Sequence, residues 1–258
     1  MPVENAPLTA PQLELVTLRC LADNYAYLLH GAAGTVLIDA PEAEPILTEL
    51  EARGWQLDAI LLTHHHDDHI QAVPQIVAAT GARVIGAAAD ADRLPPLDLA
   101  VAPGEPLEVL GEPVAVIDVP GHTIGHVAFH FPNSGYAFTA DSLMALGCGR
   151  LFEGDAPTMW QSLTRLNALP GATLICSGHD YCKGNGAFAL SVDPENPALH
   201  ARLEAIAAAR QPCAPATLQE ERATNPFLRP AALRESLGMI GASDAEVFAR
   251  LRQMKDAF

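Results

Sequence analysis

Residues 63–69 read THHHDDH, four imidazoles and two carboxylates in seven positions. Groups crowded in this way repel one another or lose hydration unless something holds them, and a metal ion is the usual holder. His64 and His66 are two apart, so in an extended segment their side chains point the same way. Asp68 and His69 follow where the chain would turn into a helix. Being adjacent, they diverge, and they could join His64 and His66 on one ion only with strain. The spacing therefore suggests two metals side by side. His65 and Asp67 alternate with the ligand positions and read as supporting or solvent-facing groups. Three more polar clusters occur: PGHTIGH (120–126), TADS (139–142) and SGHDY (177–181). Each falls at an expected strand end, where loops on a rigid scaffold commonly carry metal and catalytic groups. The isolated His30, His130 and His200 read as structural or surface residues.

The elements that must position these clusters alternate along the first two thirds of the chain. LELVTLRC, NYAYLLH and TVLIDA are expected strands, EAEPILTELEARG a helix, and DAILLTH a short apolar strand running into the histidines. QAVPQIVAATG predicts a helix with Pro74 in its first turn and Gly81 at its end. ARVIGA is a further strand, PLEVLGEPVAVIDVPG a β-hairpin, and HVAFHFP, GYAFTAD and ATLICSGHD three more strands. A helix is expected to start near Pro157. After His179 the character changes: PALHARLEAIAAAR, LQEERA, AALRESLG and DAEVFARLRQMKDAF are helix formers, and no strand signal recurs. The expected organisation is a mixed α/β unit over residues 1–179 and a helical unit over residues 180–258.

Composition narrows the class of function. The 258 residues are 49% apolar, enough for a sizeable core, and carry a net charge of −16. A nucleic-acid partner would need a basic face, so none is expected. The five cysteines are odd in number and contain no CxxC pair. They read as reduced thiols rather than a disulfide framework, which points to the cytoplasm. The first twenty residues have neither a basic segment followed by an apolar one nor a membrane-length apolar run, so no leader or membrane association is expected.

HxHxDH at 64–69, GHT at 121–123, Asp141 and His179 resemble the metallo-β-lactamase superfamily. More narrowly, DNYAYLL (23–29), THHHDDH, PGHTIGH, FTADS (138–142), GCGRLFEG (147–154), GHDY (178–181) and TNPFLR (224–229) resemble the glyoxalase II (hydroxyacylglutathione hydrolase) family, in the family's order along nearly the whole chain. The resemblance implies an αββα sandwich followed by a helical C-terminal domain. It implies one metal on His64, His66 and His122 and a second on Asp68, His69 and His179, with Asp141 bridging them. Imidazole and carboxylate suit Zn, Fe or Mn, and no cysteine falls at a ligand position. Two divalent ions are expected, zinc first among them.

Two cations sharing a water lower its pKa toward neutrality, and they can stabilise the oxyanion formed from an attacked carbonyl. A thiol of pKa ~8.5 leaves with little need of a proton, whereas an amide would need an acid for which Asp68 is the one candidate. A thioester suits such a site. The family's substrate is a 2-hydroxyacyl thioester of glutathione, notably S-D-lactoylglutathione. For the glutathione moiety the resemblance points to Arg150 and Tyr181; Phe152 and, in the helical region, Arg222 just before TNPFLR are further substrate-binding candidates. The chain departs from some members at Phe152 (a tyrosine can occur), Thr224 (a lysine) and Asp180 (a glutamate). A monomer is expected. The alternatives are another thioester or lactone hydrolase of the same fold, or a mononuclear iron persulfide dioxygenase.

Overall fold

Period-two burial in the strands shows how the layers form. In NYAYLLH, Tyr25, Tyr27 and Leu29 enter one apolar cluster while Ala26 and Leu28 enter another. A strand buried on both faces belongs to a sheet covered on both sides. The computed structural model describes residues 13–209 and 213–258. The leader-free reading of residues 1–12 and the last residue of the run ending at 210 lie outside the described residues.

The first sheet takes its strands in chain order: β1 (Glu14–Cys20), β2 (Asn24–Gly31), β3 (Gly34–Ile38), β4 (Ala59–Leu62), β5 (Arg83–Ala87) and β6 (Leu99–Val101). β1 to β3 are antiparallel, and β3 to β6 are parallel. The parallel links need crossovers: α1 (Ala43–Arg53) joins β3 to β4, the short α2 (Asp67–Ile70) and α3 (Val73–Thr80) join β4 to β5, and a connection through the single turn Ala88–Asp90 joins β5 to β6. Pro74 sits in the first turn of α3 and Gly81 ends it with φ 71°, as the sequence predicts.

The second sheet holds β7 (Leu107–Val109), β8 (Glu112–Asp118), β9 (Val127–Phe131), β10 (Tyr136–Ala140), β13 (Leu174–Ser177) and β14 (Ala216–Thr217), in the order β14-β13-β10-β9-β8-β7. Between β10 and β13 lie the ribbon β11 (Leu143–Met144) and β12 (Gly147–Cys148), then α4 (Ala156–Asn167). The rest is helical: α5 (Cys182–Val192), α6 (Pro197–Ala209), α7 (Leu218–Thr224), α8 (Pro230–Leu233) and α9 (Asp244–Asp256). The inner faces share one core, in which Tyr27, Ile38 and Leu61 meet Val116, Phe129 and Phe138. α1 and α3 cover the first sheet. α4 and the C-terminal helices cover the second, where Ala137 and Ile175 meet Leu163, Phe188, Phe227 and Phe248. This is the αββα sandwich with a helical C-terminal region. Among the described residues no helix is long and apolar enough to cross a membrane.

Three expectations change, and α5 forms where no separate element is expected. Ala216 and Thr217 form β14 against β13, so a strand does recur after His179; two residues are too few to leave a sequence signal. CKGNGAFALSV is a helix although its two glycines disfavour one. One of them, Gly186, lets Leu203 of α6 approach to where a Cβ would lie only 2.7 Å away. AALRESLG is helical only to Leu233. Cys182 and Cys213 are joined rather than free, because the start of α5 and the approach to β14 bring their Cα atoms to 6.1 Å, within disulfide reach. Cys20, Cys148 and Cys176 remain buried thiols.

The C-terminal region is stitched to the sandwich by a buried polar network. Glu221 is fully buried and accepts from Arg202 at 2.5 Å, from the Leu146 amide at 2.9 Å and from Asn225 at 3.0 Å. Asn225 also donates to the carbonyls of Met144 and Gly147, tying α7 to the ribbon that follows Asp141. Thr224 points inward and accepts from Arg202, so the position where relatives can carry lysine is structural here. Removing one partner of a buried pair strands the other charge. Glu221→Ala is expected to lower the unfolding free energy by about 3–5 kcal/mol in urea melts; a loss under about 1 kcal/mol, the usual size for a surface pair, would contradict this.

Candidate metal centre

The clusters converge because the strands that carry them end at the same edge. Thr63 to His66 continue from β4, Asp39 from β3, the 119–126 loop from β8, Asp141 from β10 and His179 from β13. Parallel pairing of β3 with β4 sets Asp39 beside Thr63, whose amide it accepts at 2.9 Å. Parallel pairing of β10 with β13, through a bulge, sets Asp141 beside Gly178 and His179. Two non-glycine residues at this edge adopt positive φ, Asp39 (56°) and Ala140 (40°). Such strain persists only where the surroundings over-determine it. Gly178 is required by space: a Cβ there would lie 2.3 Å from the Asp141 carboxylate.

Ligand atoms of His64, His66 and His122 lie within 4.8 Å of one another, as do those of Asp68, His69 and His179. Asp141 stands between the two triads. One oxygen is 3.4 Å from His122 Nε2 and 3.3 Å from His179 Nε2, and the other is 3.5 Å from His69 Nε2. His66 Nδ1 faces His122 Nε2 at 2.9 Å, and His69 Nε2 faces His179 Nε2 at 3.2 Å. His64 Nε2 and Asp141 Oδ1 are buried without a hydrogen bond. Buried polar atoms normally have partners. Lone pairs left bare and turned toward one another fit cations between them, so the residues present fit two metal ions.

The other ring nitrogens explain this orientation. His69 Nδ1 donates to Asp39 at 2.9 Å, His179 Nδ1 to Asp23 at 3.0 Å and His122 Nδ1 to the Arg150 carbonyl at 2.8 Å. The Thr63 hydroxyl donates to Asp39, leaving its oxygen to accept from His64 Nδ1 at 3.0 Å. Each bond fixes a tautomer with Nε2 free. Asp39, His64 and His69 also cluster within ligand distance, but the Asp39 oxygens are taken up by Thr63 and His69, so this trio is a support. Asn24 holds Asp68 at 3.0 Å. His65 turns away to Asp90, Asp67 is exposed, and His126 stacks on His64 at 4.6 Å.

Burial, with the charges of nearby imidazoles, holds His64 well below its ordinary pKa, and burial likewise lowers His66 and His122 and brings His126 to about 3. Burial also acts against a proton on His179, but the hydrogen bond and charge of Asp141, with Asp23 and Asp68, outweigh it and raise His179 to about 9. His69 is raised, against its burial, by Asp141 and Asp39. Burial would raise Asp141, yet the charges of His69 and His179 hold its carboxyl well below the usual range.

Beside the centre opens a cleft of about 620 Å3 that reaches His66, Asp68, His122, Asp141 and His179. Arg150, Phe152 and Tyr181 line it. Phe152 packs edge-on to His122 at 5.2 Å, and Tyr181 stacks on His179 at 4.7 Å. Arg222 is not brought to it. Its guanidinium donates to Asn167 and to the Leu169 carbonyl, closing the end of α4. The cations that line the cleft and that sequence reasoning missed are Lys183, Arg252 and Lys255. The last two lie on α9, far along the chain, where helical spacing alone marks no site.

A covered double sheet with paired His/Asp triads at one edge defines the metallo-β-lactamase class of fold. Residues 22–179 match the family model described as Metallo-beta-lactamase superfamily. Residues 180–258 match the model described as Hydroxyacylglutathione hydrolase C-terminus. The hydroxyacylglutathione hydrolases of Cereibacter sphaeroides and Fuscovulum blasticum are 58% and 59% identical over 253 residues, covering 95% of this chain and 99% of each relative. The chain belongs to the hydroxyacylglutathione hydrolase family. Among solved structures, TTHA1623 in a di-iron-bound form is 30% identical with a TM-score of 0.60, over 83% of this chain and 100% of that one. ETHE1 from Myxococcus xanthus shares the fold at 24% identity and a TM-score of 0.66, over 93% and 89%.

The imidazoles set the stability of the metal-stripped protein against pH. His69 and His179 bind a proton more tightly folded than unfolded, so their contribution is full below 6.5 and is lost as pH rises toward about 9. His64, His66, His122 and His126 bind it less tightly and cost stability below 6.5. Asp141 loses its contribution only as pH falls below 3.8. The Tm of chelator-treated protein is expected to peak near pH 6.5 and fall on both sides. In metal-loaded protein the alkaline fall should vanish, since cations take the same nitrogens neutral. Calorimetry across this range checks it; a stripped-protein Tm still climbing at pH 9 would be the wrong result.

Proposed function

We propose that this chain hydrolyses the thioester of S-(2-hydroxyacyl)glutathiones, S-D-lactoylglutathione first among them, giving D-lactate and glutathione. In this reading His64, His66 and His122 hold one divalent ion, Asp68, His69 and His179 hold another, and Asp141 serves both. Zinc is the proposed ion; iron and manganese suit the same ligands. The observation that carries the reading is the Asp141 carboxylate, 3.3–3.5 Å from an imidazole nitrogen of each triad. When bound, the ions would supply Lewis acidity to the thioester carbonyl and a water of near-neutral pKa. The other named readings, a lactone or different thioester hydrolase and a mononuclear iron dioxygenase, have no observation in their favour.

The chain's own residues supply the rest. Against its burial, the charges of His69 and His179 favour the ionised form of Asp141. Asp68, held by Asn24 and partly open to the cleft, stands 3.4 Å from His179. The departing thiol, of pKa ~8.5, makes small demand for a proton. Arg150, Lys183, Arg252 and Lys255 give the cleft a cationic wall in a chain of net charge −16, which suits a substrate with two carboxylates. Phe152 offers an apolar edge, and Tyr181 a face and a hydroxyl. The division of labour follows: residues 1–179 hold the metals, and residues 180–258 supply Tyr181, Lys183, Arg252 and Lys255 to the glutathione side. A monomer suffices, since every proposed group comes from one chain. A glutathione thioester is encountered where the glutathione pool lies, which supports a cytoplasmic setting.

Purified protein is expected to hold two metal ions per chain by elemental analysis and to cleave S-D-lactoylglutathione. One ion at full activity would overturn the two-ion reading. Arg150→Ala is expected to raise KM with kcat and metal content kept, because a carboxylate grip far from the carbonyl is alike in ground and transition states. A charge-assisted hydrogen bond of about 1.5–3 kcal/mol corresponds to roughly a ten- to hundredfold loss in kcat/KM. Loss of metal and kcat at constant KM would instead assign the Arg150 side chain to holding the loop whose carbonyl orients His122.

A further inference from the structure

His65, between two ligand histidines, is the histidine of THHHDDH that the metal centre leaves over. Its Nδ1 donates to Asp90 at 2.9 Å, and its Nε2 lies 3.6 Å from Glu153. Asp90 ends the turn after β5 and is 1% exposed. Its other oxygen accepts from Arg93 Nε at 2.6 Å, and Arg93 reaches on to Glu153 at 2.5 Å. Glu153 accepts the backbone amide of Ile124 at 2.7 Å. Gly125 lies so close to Asp90 that a Cβ there would be 2.4 Å from its carboxyl carbon.

This network touches each segment that builds the first triad. His65 joins it to the stretch carrying His64 and His66. Ile124 and Gly125 join it to the loop carrying His122. Glu153 joins it to the loop whose Arg150 carbonyl orients His122. Those two loops are also cross-linked through Phe152 N to His122 O at 3.2 Å and Gly154 N to Gly121 O at 3.0 Å. Among the described residues the second triad has no hydrogen bond or ion pair with this network: Asp23 stands behind His179, Asn24 on Asp68, and Asp39 behind His69, the last also reaching His64 through Thr63.

We propose that Asp90, Arg93 and Glu153 form a positioning clamp that sets the metal affinity of the His64–His66–His122 site and leaves the other site unaltered. None of the three is a catalytic residue; they act by holding three loops in register. The inference rests on the two-site reading. Removing partners that orient metal ligands commonly lowers affinity about 10- to 100-fold.

The test is competition titration of metal-stripped protein with zinc against a chromophoric chelator, for wild type, Asp90→Asn and Arg93→Gln. Arg93 is partly exposed, so Arg93→Gln stays informative if the buried Asp90 variant fails to fold. The expected result is one equivalent bound as in wild type and one bound about 10- to 100-fold more weakly. Excess zinc should then restore kcat with KM unchanged. Two equivalents at wild-type affinity in Arg93→Gln, or equal weakening of both, would overturn the clamp. Wild type that binds fewer than two equivalents would instead fail the two-site reading, and the clamp with it.

Discussion

The structure depends on keeping five imidazole lone pairs and two carboxylates aimed at a common interior. Left alone, that arrangement is repulsive and poorly hydrated. It holds because His64, His69, His122 and His179 each spend one ring nitrogen on a fixed acceptor behind it. The acceptors are themselves anchored. Asp39 takes the Thr63 amide and hydroxyl as well as His69, so one carboxylate orients a ligand of each triad. The opposed pKa directions within the cluster express the same geometry. Against their burial, Asp141 with Asp39 holds His69, and Asp141 with Asp23 and Asp68 holds His179, above the usual imidazole range, while burial holds the rings of the first triad below it.

The double sheet is what makes such anchoring possible. Five strand ends from two sheets reach one edge, so each ligand sits within a few residues of hydrogen-bonded backbone. Parallel pairs matter most, because neighbouring parallel strands finish side by side, as β3 finishes beside β4 and β10 beside β13. The positive φ of Asp39 and Ala140 marks where the chain leaves a strand at an angle that regular sheet would not allow. The helical C-terminal region braces this edge from the far side. Glu221 and Asn225 hold the ribbon after Asp141, and α9 brings Arg252 and Lys255 across to the cleft.

Much of this was legible in the chain. Spacing alone divided His64 and His66 from Asp68 and His69; in the structure ligand atoms of the first pair lie near His122 and those of the second near His179, while His64 and His69 also approach each other beside Asp39. The periodicity of NYAYLLH and the proline and glycine of VPQIVAATG located elements within a residue or two. What stayed hidden has physical reasons. β14 is two residues long, and α5 begins with two glycines that local preference rejects, one of which, Gly186, close packing on α6 requires. Arg222 stands beside a recognisable motif, but the end of α4 claims its guanidinium, a contact 55 residues away in sequence. Asp23, Asn24 and Asp39 lie in segments read as strands and turns, and nothing in their spacing says which imidazole each will meet. The pairing of Cys182 with Cys213 depends on the packing of two segments that share no pattern.

Cys148 forms part of the cleft wall, yet it is only 6% exposed, and burial lifts its thiol to about 11 despite the Arg252 guanidinium nearby. A thiolate there would be a soft donor competing with the imidazoles for a metal ion, and a nucleophile toward any disulfide that entered the cleft. Burial and the raised pKa disfavour both, so this sulfur lines the cleft as a small apolar surface rather than as a reactive one.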